Sequence, residues 1–363
     1  MIPVAEPRLG EKELAYVTDC ITTGWVSSKG KYVGQFEQAF ADFCGTQHGV
    51  ATFNGTIALH LVLAALNIGA DDEVIIPSLT FVSTANAVAY TGAKPVFVDS
   101  ERETWNIDPV AIEAAITSRT KAIIPVHLYG HPADMDVITA IAEKHDLIVI
   151  EDAAEAHGAR YKGQRTGSLA KAAIFSFMGN KIMTTGEGGM VVTNDADLAD
   201  RCMFLANHAR YSDNPYWHVE TGFNYRMTNL QAALGVAQLE QIDEFIDIRR
   251  KTAVQYMTRL EGVPGLTMPP ETDWADNVYW MFAPLVEPAF GMSRDDLMKK
   301  LREKEIESRP FFYPIHTMPM YNNGQTLPVA EELSAKGINL PSGANLTSAQ
   351  IDYVCDALID LHA

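Results

Sequence analysis

Cysteine is scarce in these 363 residues, with four at Cys20, Cys44, Cys202 and Cys355. They form no CxxC pair and have no histidine cluster at metal-ligand spacing, which argues against a disulfide framework or a structural zinc. Basic charge is also short: 28 Lys+Arg face 46 Asp+Glu, a formal charge of −18. No Lys/Arg run forms a local stripe, so binding to nucleic acid or to an anionic membrane surface is not expected, because both repel such a chain at long range. Any anionic ligand has to be held locally. No window approaches the ~18 apolar residues of a membrane span, and the opening MIPVAEPRLGEKELAYV lacks the basic and apolar regions of a signal peptide. Internal repeats and low-complexity segments are missing as well. A soluble, reducing, cytoplasmic setting is the expectation.

What the chain does have is enough apolar residue, 47% against 20% charged, to build one large core or two. From about residue 48 to 205, short apolar runs alternate with helical stretches. The runs include Glu73-Val-Ile-Ile-Pro77, Lys94-Pro-Val-Phe-Val98, Ala122-Ile-Ile-Pro-Val126 and Leu147-Ile-Val-Ile150. Apolar at nearly every position, they suit strands covered on both faces, hence a mostly parallel α/β sheet. Ser83 to Tyr90, Pro109 to Thr117 and Asp134 to His145 read as crossover helices. Residues 229 to 261 carry apolar side chains at helical spacing and predict one long or kinked helix. Beyond Pro264 come strand-like pieces at Val278–Val286 and Glu307–Tyr313 and an amphipathic helix around Ser293 to Lys304. The economical reading is a large domain over 1–240 and a smaller carboxy-terminal α/β domain over 241–363, joined through the long helix.

Three segments carry chemistry. A strand from Ala172 to Phe177 leads to a single lysine, Lys181, and then to a glycine-rich loop. Between Phe177, Ile182 and Met183 that amine would be partly desolvated, which lowers its pKa and frees a nucleophile. An ordinary solvated loop lysine fits the same stretch. The turn Asn54-Gly55-Thr56 opens an almost wholly apolar helix, whose first amides and dipole make a site for a phosphate; a plainly capped helix fits too. Asp152 and Glu155 follow a buried strand, at the sheet edge where ligands bind in open α/β folds, although structural caps are common there. Amine, carboxylate and phosphate cradle are together what pyridoxal 5′-phosphate needs.

The same residues resemble the DegT/DnrJ/EryC1/StrS sugar aminotransferases, pyridoxal phosphate enzymes of fold type I, over almost the whole chain. The likeness lies in Gly24-Trp-Val-Ser-Ser28, Asn54-Gly-Thr-Ile-Ala-Leu-His60, Pro77-Ser-Leu-Thr-Phe81, His127-Leu-Tyr-Gly-His131, Glu151-Asp-Ala-Ala-Glu-Ala-His-Gly158 and Gly222-Phe-Asn-Tyr-Arg-Met-Thr-Asn-Leu-Gln-Ala-Ala233. It implies that Lys181 is the Schiff-base lysine and general base, that Asp152 pairs with the pyridinium nitrogen, and that Gly55, Thr56 and Ser176 hold the phosphate. It implies that Phe81 stacks on the ring, and that Asn224 reaches the phosphate of a neighbouring subunit in a homodimer. Many relatives have Gln where this chain has Glu155, a change that adds charge beside Asp152. His157 is expected to be packed behind the ligand.

Two loops, Ser176–Lys181 and Ser308–Tyr321, are similar to the GDP-perosamine synthase branch of that family. This implies transfer of the amino group of L-glutamate to C4 of GDP-4-keto-6-deoxy-D-mannose, with no metal. UDP- or dTDP-linked ketosugars are the alternative. A ketosugar 3-dehydratase would carry histidine in place of Lys181, and a non-catalytic regulator would not need the amine. Lys29, Arg210, Arg226 and Arg309 are candidates for the nucleotide diphosphate, and Trp25, Tyr313 and His316 for the sugar or nucleotide.

Overall fold

A computed structural model describes residues 1–210 and 216–362. Its frame is a seven-stranded sheet built from β1 (His48–Thr52), β2 (Glu73–Pro77), β3 (Lys94–Val98), β4 (Thr120–Ile123), β5 (Ile148–Asp152), β6 (Ala172–Ser176) and β7 (Gly189–Thr193), in the spatial order β1-β7-β6-β5-β4-β2-β3. Strand β7 runs antiparallel to both neighbours, and the remaining pairs are parallel. The continuous apolar runs follow from this arrangement, because a central strand with helices on both faces has no solvent side: β2 and β7 are buried at all five positions.

Helices form where the sequence expectation put them, at Ser83–Tyr90, Pro109–Ala115 and Met135–His145. Helix Gly55–Ala65 starts because the Asn54 side chain accepts from the Ile57 N–H at 3.0 Å, and it packs beneath β6 and β7. The long helical pattern divides into Asn229–Leu239 and Ile242–Leu260, with Gln241 out of helical geometry at φ −121°, ψ 3°. The longer helix bridges two apolar clusters. Its Phe245 joins the core that includes Phe36, Phe40, Phe175 and Phe177, while Tyr256 and Leu260 join a second cluster with Phe282, Phe290, Leu301 and Leu358. Each such side chain, fully buried, contributes ~1.5–3 kcal/mol of apolar transfer free energy.

Two strand-like pieces are corrected. Of Val278–Val286, Leu285–Val286 alone forms a strand. Tyr279 takes φ +47°, and its N–H turns to Asn277 Oδ1 at 2.8 Å. The stretch is apolar because it is buried on all sides, so its pattern carried no strand period. Of Glu307–Tyr313, Arg309–Pro310 pairs with Ile338–Asn339 and no more; Pro310 and Pro314 bring no N–H to extend a ladder.

Candidate active site

The carboxyl ends of β5 and β6, the turn after β2 and the start of helix Gly55–Ala65 meet around a cavity of about 360 Å³. Of the residues singled out from sequence, Gly55, Thr56, Phe81, Asp152, Glu155, Ser176, Lys181 and Arg309 line it. Gly55 is required there by space. A Cβ at this position would stand 2.8 Å from the Ser176 Cβ, so the helix start and the end of β6 can touch only without a side chain. That contact gathers the first helix amides and the Thr56 and Ser176 hydroxyls at one end of the cavity, and Thr56 Oγ1 bonds Ser83 Oγ at 2.8 Å.

Asp152 points into the cavity from the last position of β5. One oxygen accepts from the Thr84 hydroxyl at 2.8 Å and the other from the Ala154 N–H at 3.2 Å. Burial pushes its carboxyl above the usual range, with the Thr84 bond, the Ala154 N–H and the Lys181 charge opposing. Glu155, 2% exposed, accepts from the Tyr129 N–H at 2.8 Å, which is aimed there by the left-handed backbone of Tyr129 at φ +52°. Burial raises the Glu155 carboxyl to about 7. Burial lowers the Lys181 amine, and Glu155 and Asp152 act against that. One cation and two carboxylates thus share a closed space, where each charge stabilises the opposite one more strongly than in water. Lys181 Nζ rests 3.7 Å from the centroid of the Trp280 ring.

Pyridoxal phosphate fits this set. A buried carboxylate with one nearby cation has room for a protonated ring nitrogen, hydroxyls and helix amides suit a phosphate, and Phe81 offers a flat apolar wall, 52% exposed.

The other candidates lie elsewhere. Lys29, Arg210 and Arg226 line a separate pocket of about 240 Å³ together with Glu37. Asn224 Oδ1 accepts from Arg226 Nη2 at 2.9 Å, outside the cavity of its own chain. Trp25 and Tyr313 are 56% and 60% exposed and do not line the cavity. His316, expected as a substrate contact, is 1% exposed, and both ring nitrogens are taken, by Ser78 Oγ at 2.6 Å and Glu331 Oε1 at 3.1 Å. His157 is buried against Phe40, Phe175 and Phe177, with its imidazole held down at about 3 by burial. Arg309 reaches the cavity with its guanidinium on Glu307, at 3.0 and 3.2 Å.

Sequence reasoning missed Thr84, Tyr129, Trp280 and Phe312. Thr84 lies 68 positions from the carboxylate it serves, and no local pattern announces such a bond. Tyr129 did stand inside a quoted motif, but its positive φ has no sequence mark. Among the described residues, no helix is long and apolar enough to cross a membrane and no cluster of His, Cys, Asp and Glu could hold a metal.

The family model of the DegT/DnrJ/EryC1/StrS aminotransferases matches residues 7–359. The chain is 49% identical to GDP-perosamine synthase of Caulobacter vibrioides over 98% of its length and 97% of that protein. It is 47% identical to the protein of the same name from Escherichia coli O157:H7, over 100% of its length and 99% of that protein. Among solved structures, DesV of S. venezuelae in complex with a ketimine intermediate superposes with a TM-score of 0.90 at 37% identity, covering 96% of this chain and 93% of that one. The aminotransferase TlmJ of Streptoalloteichus hindustanus gives 0.94 at 29% identity, covering 99% and 98%. The chain therefore belongs to the DegT/DnrJ/EryC1/StrS aminotransferase family, and is a pyridoxal phosphate-dependent sugar aminotransferase with the type I fold of those enzymes.

Proposed function

We propose that the cavity is the active site and that the protein transfers the amino group of L-glutamate to C4 of GDP-4-keto-6-deoxy-D-mannose, yielding GDP-perosamine. The observation that carries the site is the half-buried Lys181 with its amine in one cavity with Asp152 and Glu155. The two relatives named GDP-perosamine synthase, matched end to end, support the acceptor.

Bound there, pyridoxal phosphate supplies an aldehyde that exchanges amines and a ring that takes up electrons. The residues have separate tasks. The amides at Gly55 and Thr56, with the Thr56 and Ser176 hydroxyls, hold the phosphate. With the cofactor bound, Asp152 would accept from the ring N–H and keep that nitrogen protonated, Phe81 would orient the ring, and Glu155 would be available to the ring hydroxyl. Lys181 Nζ takes a proton from the amino-acid carbon and returns it, a role that needs the neutral amine which burial favours. Arg309, steadied by Glu307, offers its guanidinium to a substrate anion.

We also propose a homodimer in which Asn224, Arg226 and Trp25 serve the neighbouring subunit's site, since they do not reach their own. Two large apolar side chains lining the cavity, Phe81 and Met178, are 52% and 47% exposed and suit a covering partner. Tyr313, exposed and outside the cavity of its own chain, is assigned to the same neighbouring site. A cytoplasmic location suits the four buried thiols.

The purified protein is expected to be yellow, to bleach with glutamate, and to recover colour with a GDP-linked 4-ketosugar. Lys181→Ala is expected to lose about 10²–10⁴-fold in turnover; normal turnover refutes the assignment. If UDP- or dTDP-linked ketosugars react and the GDP sugar does not, the acceptor is wrong and the cofactor chemistry stands.

A further inference from the structure

Among the described residues, Lys181 Nζ makes no hydrogen bond or ion pair, although two carboxylates share its cavity; its direct partner is the face of Trp280, 3.7 Å from the ring centroid. The carboxylates are engaged elsewhere. Asp152 is held by the Thr84 hydroxyl and the Ala154 N–H, and Glu155 by the Tyr129 N–H.

Trp280 is itself fixed with respect to the lysine. Its indole Nε1–H donates to the carbonyl of Asn180, the residue before Lys181, at 2.8 Å. Its own carbonyl accepts from Arg249 Nη1 at 2.8 Å, and the other arm of the same guanidinium donates to the Lys181 carbonyl at 3.3 Å. The ring also stacks with Tyr129, with centroids 6.1 Å apart and an interplanar angle of 21°, and the residue is 4% exposed. These bonds, the stacking and the burial hold the ring in place beside the amine.

We propose that Trp280 is a positioning residue for the transamination, its indole face being the resting place of the Lys181 amine whenever that amine is not bonded to the cofactor. The proposal rests on the reading of Lys181 given above. A π face attracts an ammonium but offers no acceptor lone pair, so it keeps the nitrogen within reach of the reacting carbon while holding its proton less firmly than a carboxylate does. A carboxylate in the same place would stabilise the ammonium more strongly and leave less free amine near neutral pH.

The test uses coenzyme-loaded enzyme treated with glutamate, so that Lys181 is free. Acetic anhydride labels its amine over a pH series, and peptide mass spectrometry reads the labelling midpoint at Lys181. Trp280→Met is expected to lower the midpoint by about half to one and a half pH units, because the ammonium loses its attraction. Trp280→Phe keeps a ring face and loses the Nε1–H donor, and is expected to stay close to the parent enzyme. Global replacement of tryptophan by mono- and trifluoro-tryptophan leaves the chain otherwise intact and is expected to lower the midpoint stepwise with fluorine content. No movement in the fluorinated series overturns the proposal, as do equal shifts for the Met and Phe variants, which would put the effect on the Asn180 bond. Borohydride reduction of the untreated enzyme keeps the two readings apart. Coenzyme mass missing from the Lys181 peptide ends the Lys181 assignment; mass present with a flat fluorine series ends only the role of Trp280.

Discussion

Glu151 and Asp152 are adjacent on β5 and point to opposite faces of the sheet. Glu151 is wholly buried in protein partners: His127 Nε2 at 3.0 Å and the N–H groups of Gly167 and Leu169 at 2.8 Å each. Asp152 looks into the cavity with a hydroxyl and one N–H. Two acidic residues of nearly the same chemistry are thereby divided by strand alternation alone. One holds the fold together, tying two stretches of chain, around His127 and Gly167–Leu169, to the strand. The other keeps unspent hydrogen-bonding capacity facing a ligand space, and burial pushes its carboxyl above the usual range against the Thr84 bond, the Ala154 N–H and the Lys181 charge.

Substitutions should separate the two faces. Glu151→Ala is expected to cost the most, about 3–5 kcal/mol of unfolding free energy, because two buried N–H donors and His127 lose their acceptor. Urea denaturation measures it; a loss below about 1 kcal/mol would mean that water or relaxation replaces the carboxylate. Asp152→Asn should leave stability within about 1 kcal/mol while lowering turnover by about 10²–10³-fold, the scale found when a group placed against developing charge is removed. Steady-state kinetics beside thermal melts tests the pairing, and equal losses in both readouts would erase the contrast.

Glu155 sharpens the comparison through pH. Its folded carboxyl is raised from 4.5 to about 7, so between those values the folded chain binds more protons than the unfolded chain. The sign follows: in cofactor-free protein this group's contribution to stability falls as pH rises from about 4.5 to about 7. Glu155→Gln is expected to flatten that slope, read from urea midpoints across the window; an unchanged slope would assign it to other groups. The smallest effect belongs to Thr84→Val, which removes one hydroxyl from Asp152 and is expected to cost about 1 kcal/mol in coenzyme binding, measurable by fluorescence titration.

Much of the site was legible because it sits where strand period and helix start leave marks. Asp152 follows the apolar run Leu147–Ile150 and Glu151, Gly55 opens an almost wholly apolar helix, and Lys181 is a lone cation followed by Ile182 and Met183. The failures share one physical cause. Val278–Val286 looked like a strand because complete burial and a buried strand give the same apolar text, and Trp280 was hidden inside it. His316 looked like a ligand contact because an aromatic face suits stacking on a sugar or nucleotide, whereas Ser78 and Glu331, 238 and 15 positions away, close around it. The basic candidates Lys29, Arg210 and Arg226 do gather, yet where they gather depends on contacts that no single segment encodes.

Arg249 has a mechanical consequence. Its buried guanidinium grips the carbonyls of Trp280, Ser342 and Lys181, three stretches far apart along the chain. A tripod of this kind resists shear, because sliding any one leg strips a charged donor of an acceptor in a place water does not reach. The Trp280 wall and the Lys181 backbone are thus fastened to one buried cation and held as one stiff piece.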